Sequence, residues 1–253
     1  MKKNIYYGYY KCDDNISRIK KIKEAGLDGV FVFLEDGVLE LINDLRDNGL
    51  EVETIHLPYK NVNNLWCEND DYFKMIINGI EIANLAKVKT VIVHTLSGKN
   101  PPLYNELGLN RVKEMIKLGE KYNINIAFEN LRNLDYIDYI FENIKSDKLK
   151  MCFDSGHANA FTKNIDTFPF DKYQDKIICL HLHDNDGEND LHLPPFNGNI
   201  KWEELIKKLK GINYQGPLTL EIQLNEMVED EVDFLNELKE KLDKLEEYFI
   251  KWK

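Results

Sequence analysis

The sequence predicts an α/β fold, a single (β/α)8 TIM barrel spanning residues 1–253, and three observations carry that expectation. Short apolar or alternating runs recur along the chain, separated by stretches of helical period, the pattern of βαβ units around a parallel sheet. Eight such runs can be marked out, the number that closes a barrel. The length of 253 residues and the 43% hydrophobic content supply one large core, and no linker, repeat or low-complexity tract argues for a second domain.

In chain order, the aromatic-rich run Asn4–Tyr10 reads as the first strand, followed by a helix candidate at Ile16–Ala25. The apolar run Gly29–Leu34 precedes a helix candidate at Leu39–Asp47, and Leu50–His56 precedes one at Tyr72–Ala86. Thr90–Thr95 pairs in the same way with Asn110–Lys121, and Ile124–Glu129 with Leu134–Asn143. Leu149–Asp154 and Ile177–His183 are the next two strands, with Ile200–Leu209 as a helix after them and Pro217–Ile222 as the last strand. Several helix candidates end at or near Gly or Asn, as helix stops do. The final segment, Val228–Phe249, sets Val228, Leu235, Leu238, Leu242, Leu245 and Phe249 near one helical stripe and is expected to pack on the barrel wall. A dimer-forming coiled coil is the alternative, although the pattern lasts only about three heptads. The polar, Gly/Pro/Asn-rich loop Asp184–Gly198 is long for a strand-to-helix connection and is a candidate active-site loop.

Composition narrows the function classes. A formal charge of −11 opposes tight, sequence-independent binding to nucleic acid, whose affinity comes from cations neutralising phosphates. The arginines are Arg18, Arg46, Arg111 and Arg132 alone, so bidentate phosphate clamps are scarce and a small substrate is favoured. No stretch reaches the roughly twenty apolar residues of a membrane span, and the opening MKKNIYYGYY lacks a signal-peptide core, so a soluble, cytoplasmic protein is expected. Cys12, Cys67, Cys152 and Cys179 show no CxxC spacing, and no structural disulfide is expected.

The histidines direct the functional reading. All six, His56, His94, His157, His181, His183 and His192, fall at or just after a predicted strand and none on a predicted helix. Barrel strand ends converge on one face, so these residues should meet there. Carboxylates follow the same rule: Glu129 ends IAFE, Asp154 ends MCFD and Glu221 ends PLTLE, each closing an apolar run where a buried charge is costly without a partner. A divalent cation is the simplest partner. Carboxylate with imidazole suits Mn²⁺, Zn²⁺, Co²⁺ or Fe²⁺, and the lack of thiolate ligands argues against a Cys-rich zinc site. Taken singly, a strand-end His can simply bond a backbone carbonyl and a strand-end Asp can cap the next helix. His183 and Asp184 are the least specific of the set: His183 lies one residue pair beyond His181 on the same strand face, and Asp184 reads equally as a loop cap. Lys60 and Trp66 are candidates for the pocket mouth, with Trp66 offering an aromatic face for a ligand to stack on, against a plain packing role.

With these residues the chain resembles the xylose-isomerase-like barrel superfamily, which includes sugar and sugar-phosphate isomerases and epimerases and the class-IV-type apurinic endonucleases. The pieces are His56–Tyr59 (HLPY), the run ending at His94, Phe128–Asn130 (FEN), Asp154–His157 (DSGH), His181–Asn185 (HLHDN), Asp190–His192 (DLH) and the run ending at Glu221, with Pro194–Trp202 similar to a Gly-rich turn of the superfamily. The resemblance implies that Glu129, Asp154, His181 and Glu221 hold one metal ion, that Glu129 and Glu221 shuttle a proton next to a carbonyl, and that His157 touches substrate. Removing such a proton requires the developing enediolate oxygen to be stabilised. The endonuclease branch implies further ligands at His56, His94, His157, Asp190 and His192, hence one to three ions, Mn or Zn, per chain. The expected function is a metal-dependent sugar or sugar-phosphate isomerase/epimerase with a small-molecule partner. A multinuclear zinc phosphodiesterase is the alternative, and a barrel that binds a sugar without turning it over is a third reading.

Overall fold

In the computed structural model, which describes residues 1–9, 14–162, 165–224 and 230–251, eight parallel strands are ordered β8-β1-β2-β3-β4-β5-β6-β7. They are β1 Lys3–Tyr6, β2 Gly29–Phe33, β3 Glu51–His56, β4 Thr90–Val93, β5 Asn125–Glu129, β6 Leu149–Asp154, β7 Ile177–His181 and β8 Leu218–Leu220. The sheet closes just past β7, where Leu182 N donates to Thr219 O at 2.9 Å and Glu221 N donates to Leu182 O at 3.1 Å. That closure sets the ends of β7 and β8 side by side.

Around the barrel run α1 Asn15–Glu24, α2 Val38–Asp47, α3 Asp71–Leu85, α4 Glu106–Tyr122, α5 Asp135–Asn143, α6 Ser155–Phe161, α7 Phe170–Tyr173, α8 Trp202–Gly211 and α9 Glu231–Lys251. Each of the longer ones turns an apolar stripe to the strands, as Ile42 and Leu45 do on α2 and Leu205, Ile206 and Leu209 on α8. The last helix lies against α1 and α8, burying Phe234, Leu235, Leu238, Leu242 and Leu245, which is the wall-packing arrangement expected of that segment; Val228 lies outside the described residues. No helix among the described residues is long and apolar enough to cross a membrane.

Beyond strands β7 and β8 ending two residues early and the unexpected short helix α7, three elements depart from the sequence reading near the barrel mouth. The first strand stops at Tyr6, where the chain turns through Tyr7 and Gly8; Tyr10 and Cys12 fall outside the described residues. Helix α4 begins earlier than expected because the Asn105 side chain accepts from Gly108 N at 3.0 Å and caps it. Helix α6 was not expected, and its first turn contains His157, so one histidine does sit on a helix. The Asp154 side chain accepts from His157 N at 2.6 Å, and this cap starts α6 directly at the end of β6.

Strand alternation explains what lies beneath the site. Ile92, Ala127, Cys152 and Cys179 form a small buried layer of their own. Two residues further along the same strands, on the same face, come His94, Glu129, Asp154 and His181. The polar ends therefore stand on an apolar floor. Cys152 and Cys179 are free thiols, as expected, but Cys152 comes within 4.8 Å of ligand atoms of Glu129 and His181. Burial, with Cys179 beside it, pushes the Cys152 thiol well above its ordinary value, so it packs as a neutral group.

Candidate functional site

Glu129 is the hub at the barrel's C-terminal mouth. Its Oε2 lies 3.2 Å from His56 Nε2 and 3.1 Å from His94 Nε2, while those two nitrogens are 3.2 Å apart. On its other side, His181 Nδ1 is 3.5 Å from Glu129 Oε2 and 3.2 Å from Glu221 Oε2. One ligand atom from each of Glu129, Asp154, His181 and Glu221 falls within 4.8 Å of the other three, and all four residues are buried. Nitrogen and oxygen ligands about 2.0–2.2 Å from a tetrahedral ion lie roughly 3.3–3.6 Å from one another. The spacings around Glu129 are close to that, so these residues could hold a divalent cation.

The loop after β7 brings a second group over the first. Asp190 Oδ2 is 3.2 Å from His157 Nε2 and 3.6 Å from His192 Nε2. His183 Nε2 sits 3.1 Å from both Asp154 carboxylate oxygens, and its ring stacks on His192 with centroids 4.1 Å apart. His183, with little to recommend it in the sequence, is thus fully buried inside the cluster. Gly156 makes room for it, because a Cβ there would stand 1.8 Å from His183 Cε1.

Backbone carbonyls set the orientation of three of these imidazoles. His56 Nδ1 bonds Leu57 O at 2.8 Å, His157 Nδ1 bonds Asn130 O at 3.0 Å and His192 Nδ1 bonds Glu221 O at 3.0 Å. A carbonyl only accepts, so each Nδ1 carries a proton and, in the neutral ring, each Nε2 turns its lone pair to the cluster, the arrangement usual behind a metal-bound histidine. His192 holds this position with φ of +48°, a left-handed backbone that a non-glycine residue adopts at a cost.

The electrostatics suit a cation as well. Burial drives the Glu129 carboxyl up, yet the charge of His181 and His94 outweighs it and holds Glu129 well below the ordinary carboxylate range. Glu221 is depressed against burial by His181 and His192, and Asp190 by His157 and His192. Burial opposes protonation of His181, His157 and His192, but the carboxylates win: His181 and His157 rise well above 6.5, the latter chiefly through Asp154, and His192 is pushed up to about 9 by Asp190. Protons thus do, in the metal-free protein, what a divalent ion would do. His94 is the exception, lowered by burial. Orphaned buried atoms point the same way: among the described residues both ring nitrogens of His181, His183 Nδ1 and Glu221 Oε2 make no hydrogen bond of good geometry, although His181 Nδ1 and Glu221 Oε2 lie 3.2 Å apart.

A cavity of about 210 Å³ opens onto the cluster. Glu129, Glu221, His56, His94, His157, Asp190 and His192 face it, whereas Asp154 and His181 are behind the wall. Sequence reasoning missed the aromatic rings that back the imidazoles. Phe31 stacks on His181 (4.4 Å), Phe33 on His56 (4.3 Å), Tyr59 on His94 (5.0 Å) and Phe161 on His157 (5.3 Å). The only sequence signal for them was that Phe31 and Phe33 alternate on one strand and Tyr59 follows HLP. Trp66, in contrast, is buried away from the cavity, donating to Thr95 O at 2.7 Å and packed on Gly108, so its role is structural; Tyr59 is the exposed ring at the mouth, and Lys60 lines an adjoining cleft.

Asp184 organises the loop. Its Oδ1 accepts from Asn185 N (2.9 Å) and Ile200 N (3.1 Å), and its Oδ2 from Phe196 N (3.1 Å) and Trp202 Nε1 (2.8 Å). Backbone bonds between Asp184 and Leu193 complete the hold, so the segment carrying Asp190 and His192 is tied at both ends.

Comparison with known proteins follows from this geometry. A family model described as a xylose isomerase-like TIM barrel matches residues 19–238. An uncharacterized protein of Methanocaldococcus jannaschii is 27% identical, covering 91% of this chain and 89% of that protein. Fructoselysine 3-epimerase of Escherichia coli O157:H7 is 38% identical over 53 residues, 21% of this chain and 19% of the enzyme. The crystal structure of a D-tagatose 3-epimerase-like protein superposes with a TM-score of 0.77 at 26% identity, covering 98% of this chain and 99% of that one.

Proposed function

The chain belongs to the xylose isomerase-like TIM barrel family, and from that premise we propose that it is a metal-dependent sugar isomerase or epimerase moving a proton next to a carbonyl. One observation carries the reading. Within the four-residue group Glu129, Asp154, His181 and Glu221, the two glutamates face the cavity and the other two stand behind it. That division separates chemistry from anchoring: Asp154 and His181 would hold a divalent ion in place, while Glu129 and Glu221 would each keep an oxygen toward substrate. A bound ion supplies Lewis acidity, polarising the substrate's carbonyl and adjacent hydroxyl.

The residues do the rest. Glu129, kept anionic by the surrounding imidazoles, accepts the proton from the carbon next to the carbonyl; Glu221, likewise anionic, is the second base at the neighbouring strand end and reprotonates the carbon only after taking up a proton from water or a substrate hydroxyl. Tyr59 and Phe33 offer apolar surface against the sugar's carbon face, and His157, whose Nε2 points to the cavity group, contacts a substrate oxygen. The names of the tagatose and fructoselysine epimerase relatives support the same substrate class. Glu129→Gln and Glu221→Gln are each expected to stay folded and abolish exchange of the carbon-bound proton with D2O in a ketose screen. Full exchange in either variant would remove the mechanism.

A multinuclear phosphodiesterase is the second reading, favoured by three further groups of imidazoles and carboxylates, His56/His94/Glu129, Asp154/His157/His183 and His183/Asp190/His192, beside the first. The acidic chain and the scarcity of arginine weigh against a nucleic-acid duplex as its substrate. Elemental analysis of active protein separates the two, since a single ion per chain leaves the phosphodiesterase without its additional metals.

A further inference from the structure

Arg132 is the one arginine or lysine among the described residues that line the cavity. It follows β5 by three residues, on the loop that also carries Asn130, and its side chain is exposed. Its guanidinium carbon lies 3.7 Å from the centre of the Phe161 ring, and that ring stacks on His157 at 5.3 Å. A column of guanidinium, phenyl and imidazole thus rises from the cluster to the rim. Stacking on an aromatic face limits the freedom of a long side chain and leaves the edge of the guanidinium, with its N–H donors, free to point elsewhere. Among the described residues those donors meet no acceptor: the side chain forms no hydrogen bond and no ion pair.

The other ionisable groups around the cavity offset one another, the carboxylates of Glu129, Asp190 and Glu221 being paired with the imidazoles of His94, His157, His192 and His181. A neutral polyol gains little from a fixed cation at the rim, whereas a substrate with its reacting carbon at the floor and an anion at the far end matches both. We infer that Arg132 is a substrate-binding residue selecting sugars that carry an anionic group, a phosphate monoester or a carboxylate, at the end remote from the reacting carbon. This rests on the isomerase/epimerase reading for the identity of the sugar but not for the recognition of the anion.

The test uses metal-loaded full-length protein, wild type, Arg132→Ala and Arg132→Lys, with three ketose classes: neutral, phosphorylated and carboxylated. A charge-assisted hydrogen bond at an exposed rim corresponds to about a tenfold effect. The expected result is a KM ratio of anionic to neutral ketose that rises about tenfold in Arg132→Ala and recovers partly in Arg132→Lys; the arm that shifts identifies phosphate or carboxylate. An unchanged ratio overturns the inference. Calorimetric binding of inorganic phosphate and of a sugar phosphate to the same three proteins is read in parallel. If no ketose is turned over yet Arg132→Ala still weakens sugar-phosphate binding, the isomerase/epimerase reading falls and the anion site stands; equal binding by wild type and Arg132→Ala sinks the site itself.

Discussion

Replacing Asp184 by alanine should loosen the loop after β7 without detaching it, and the size of the effect can be worked from the contacts. The substitution strands Asn185 N, Ile200 N and Trp202 Nε1, all in buried bonds, together with the half-buried Phe196 N. A buried donor left unsatisfied costs about 1–3 kcal/mol, and donors that share one acceptor do not add in full, so a loss of roughly 3–5 kcal/mol is expected. The two backbone bonds between Asp184 and Leu193 survive the change, which keeps the loop docked and sets that ceiling. Asp184→Asn retains one carbonyl oxygen and so two of the four acceptances; its cost should be about half, near 2 kcal/mol. Urea unfolding of the metal-free proteins, with the slope compared to exclude a changed unfolded state, measures both. Because the loop carries Asp190 and His192, metal affinity should fall in the same order. A cost below about 1 kcal/mol for Asp184→Ala, or equal costs for the two variants, would show that the carboxylate is not what closes the loop.

Gly156→Ala places a Cβ 1.8 Å from His183 Cε1, so the ring must leave Asp154; metal affinity should drop about 10–100-fold, as for other supporting residues of metal sites, in a chelator competition. Metal affinity of the wild type should rise with pH between 7 and 9. His181, His157 and His192 have raised values in the metal-free protein and must release protons to bind, with His192 doing so near 9, and an affinity independent of pH over that interval would refute this. For the same reason the His192–Asp190 pair stabilises the metal-free fold fully below the ordinary imidazole value of about 6.5 and is lost as pH rises through about 9, so the metal-free protein should lose stability over the range in which metal binding strengthens. Leu238→Ala on α9 removes a fully buried side chain from the barrel wall and should cost about 2–5 kcal/mol in urea unfolding with little change in metal affinity.

Much of this was legible before any coordinates, for a local reason. Strand and helix periodicity is written within a few residues, and a barrel sends the ends of all its parallel strands to one face; a polar residue ending an apolar run is therefore marked twice, by its cost and by its destination. That is why His56, Glu129, Asp154, His181 and Glu221 could be named from the chain alone. What the sequence could not contain was how they pair. The place of His183 against Asp154 depends on Gly156 across two strands, and the tautomers of His56, His157 and His192 depend on the carbonyls of Leu57, Asn130 and Glu221. The backing rings of Phe31, Phe33, Tyr59 and Phe161, the burial of Trp66 and the position of Arg132 over Phe161 likewise arise from contacts between distant segments. Local pattern determines which residues reach the mouth of the barrel. Register, barrel closure and loop docking decide which atoms face one another there, because those depend on the whole chain packing at once.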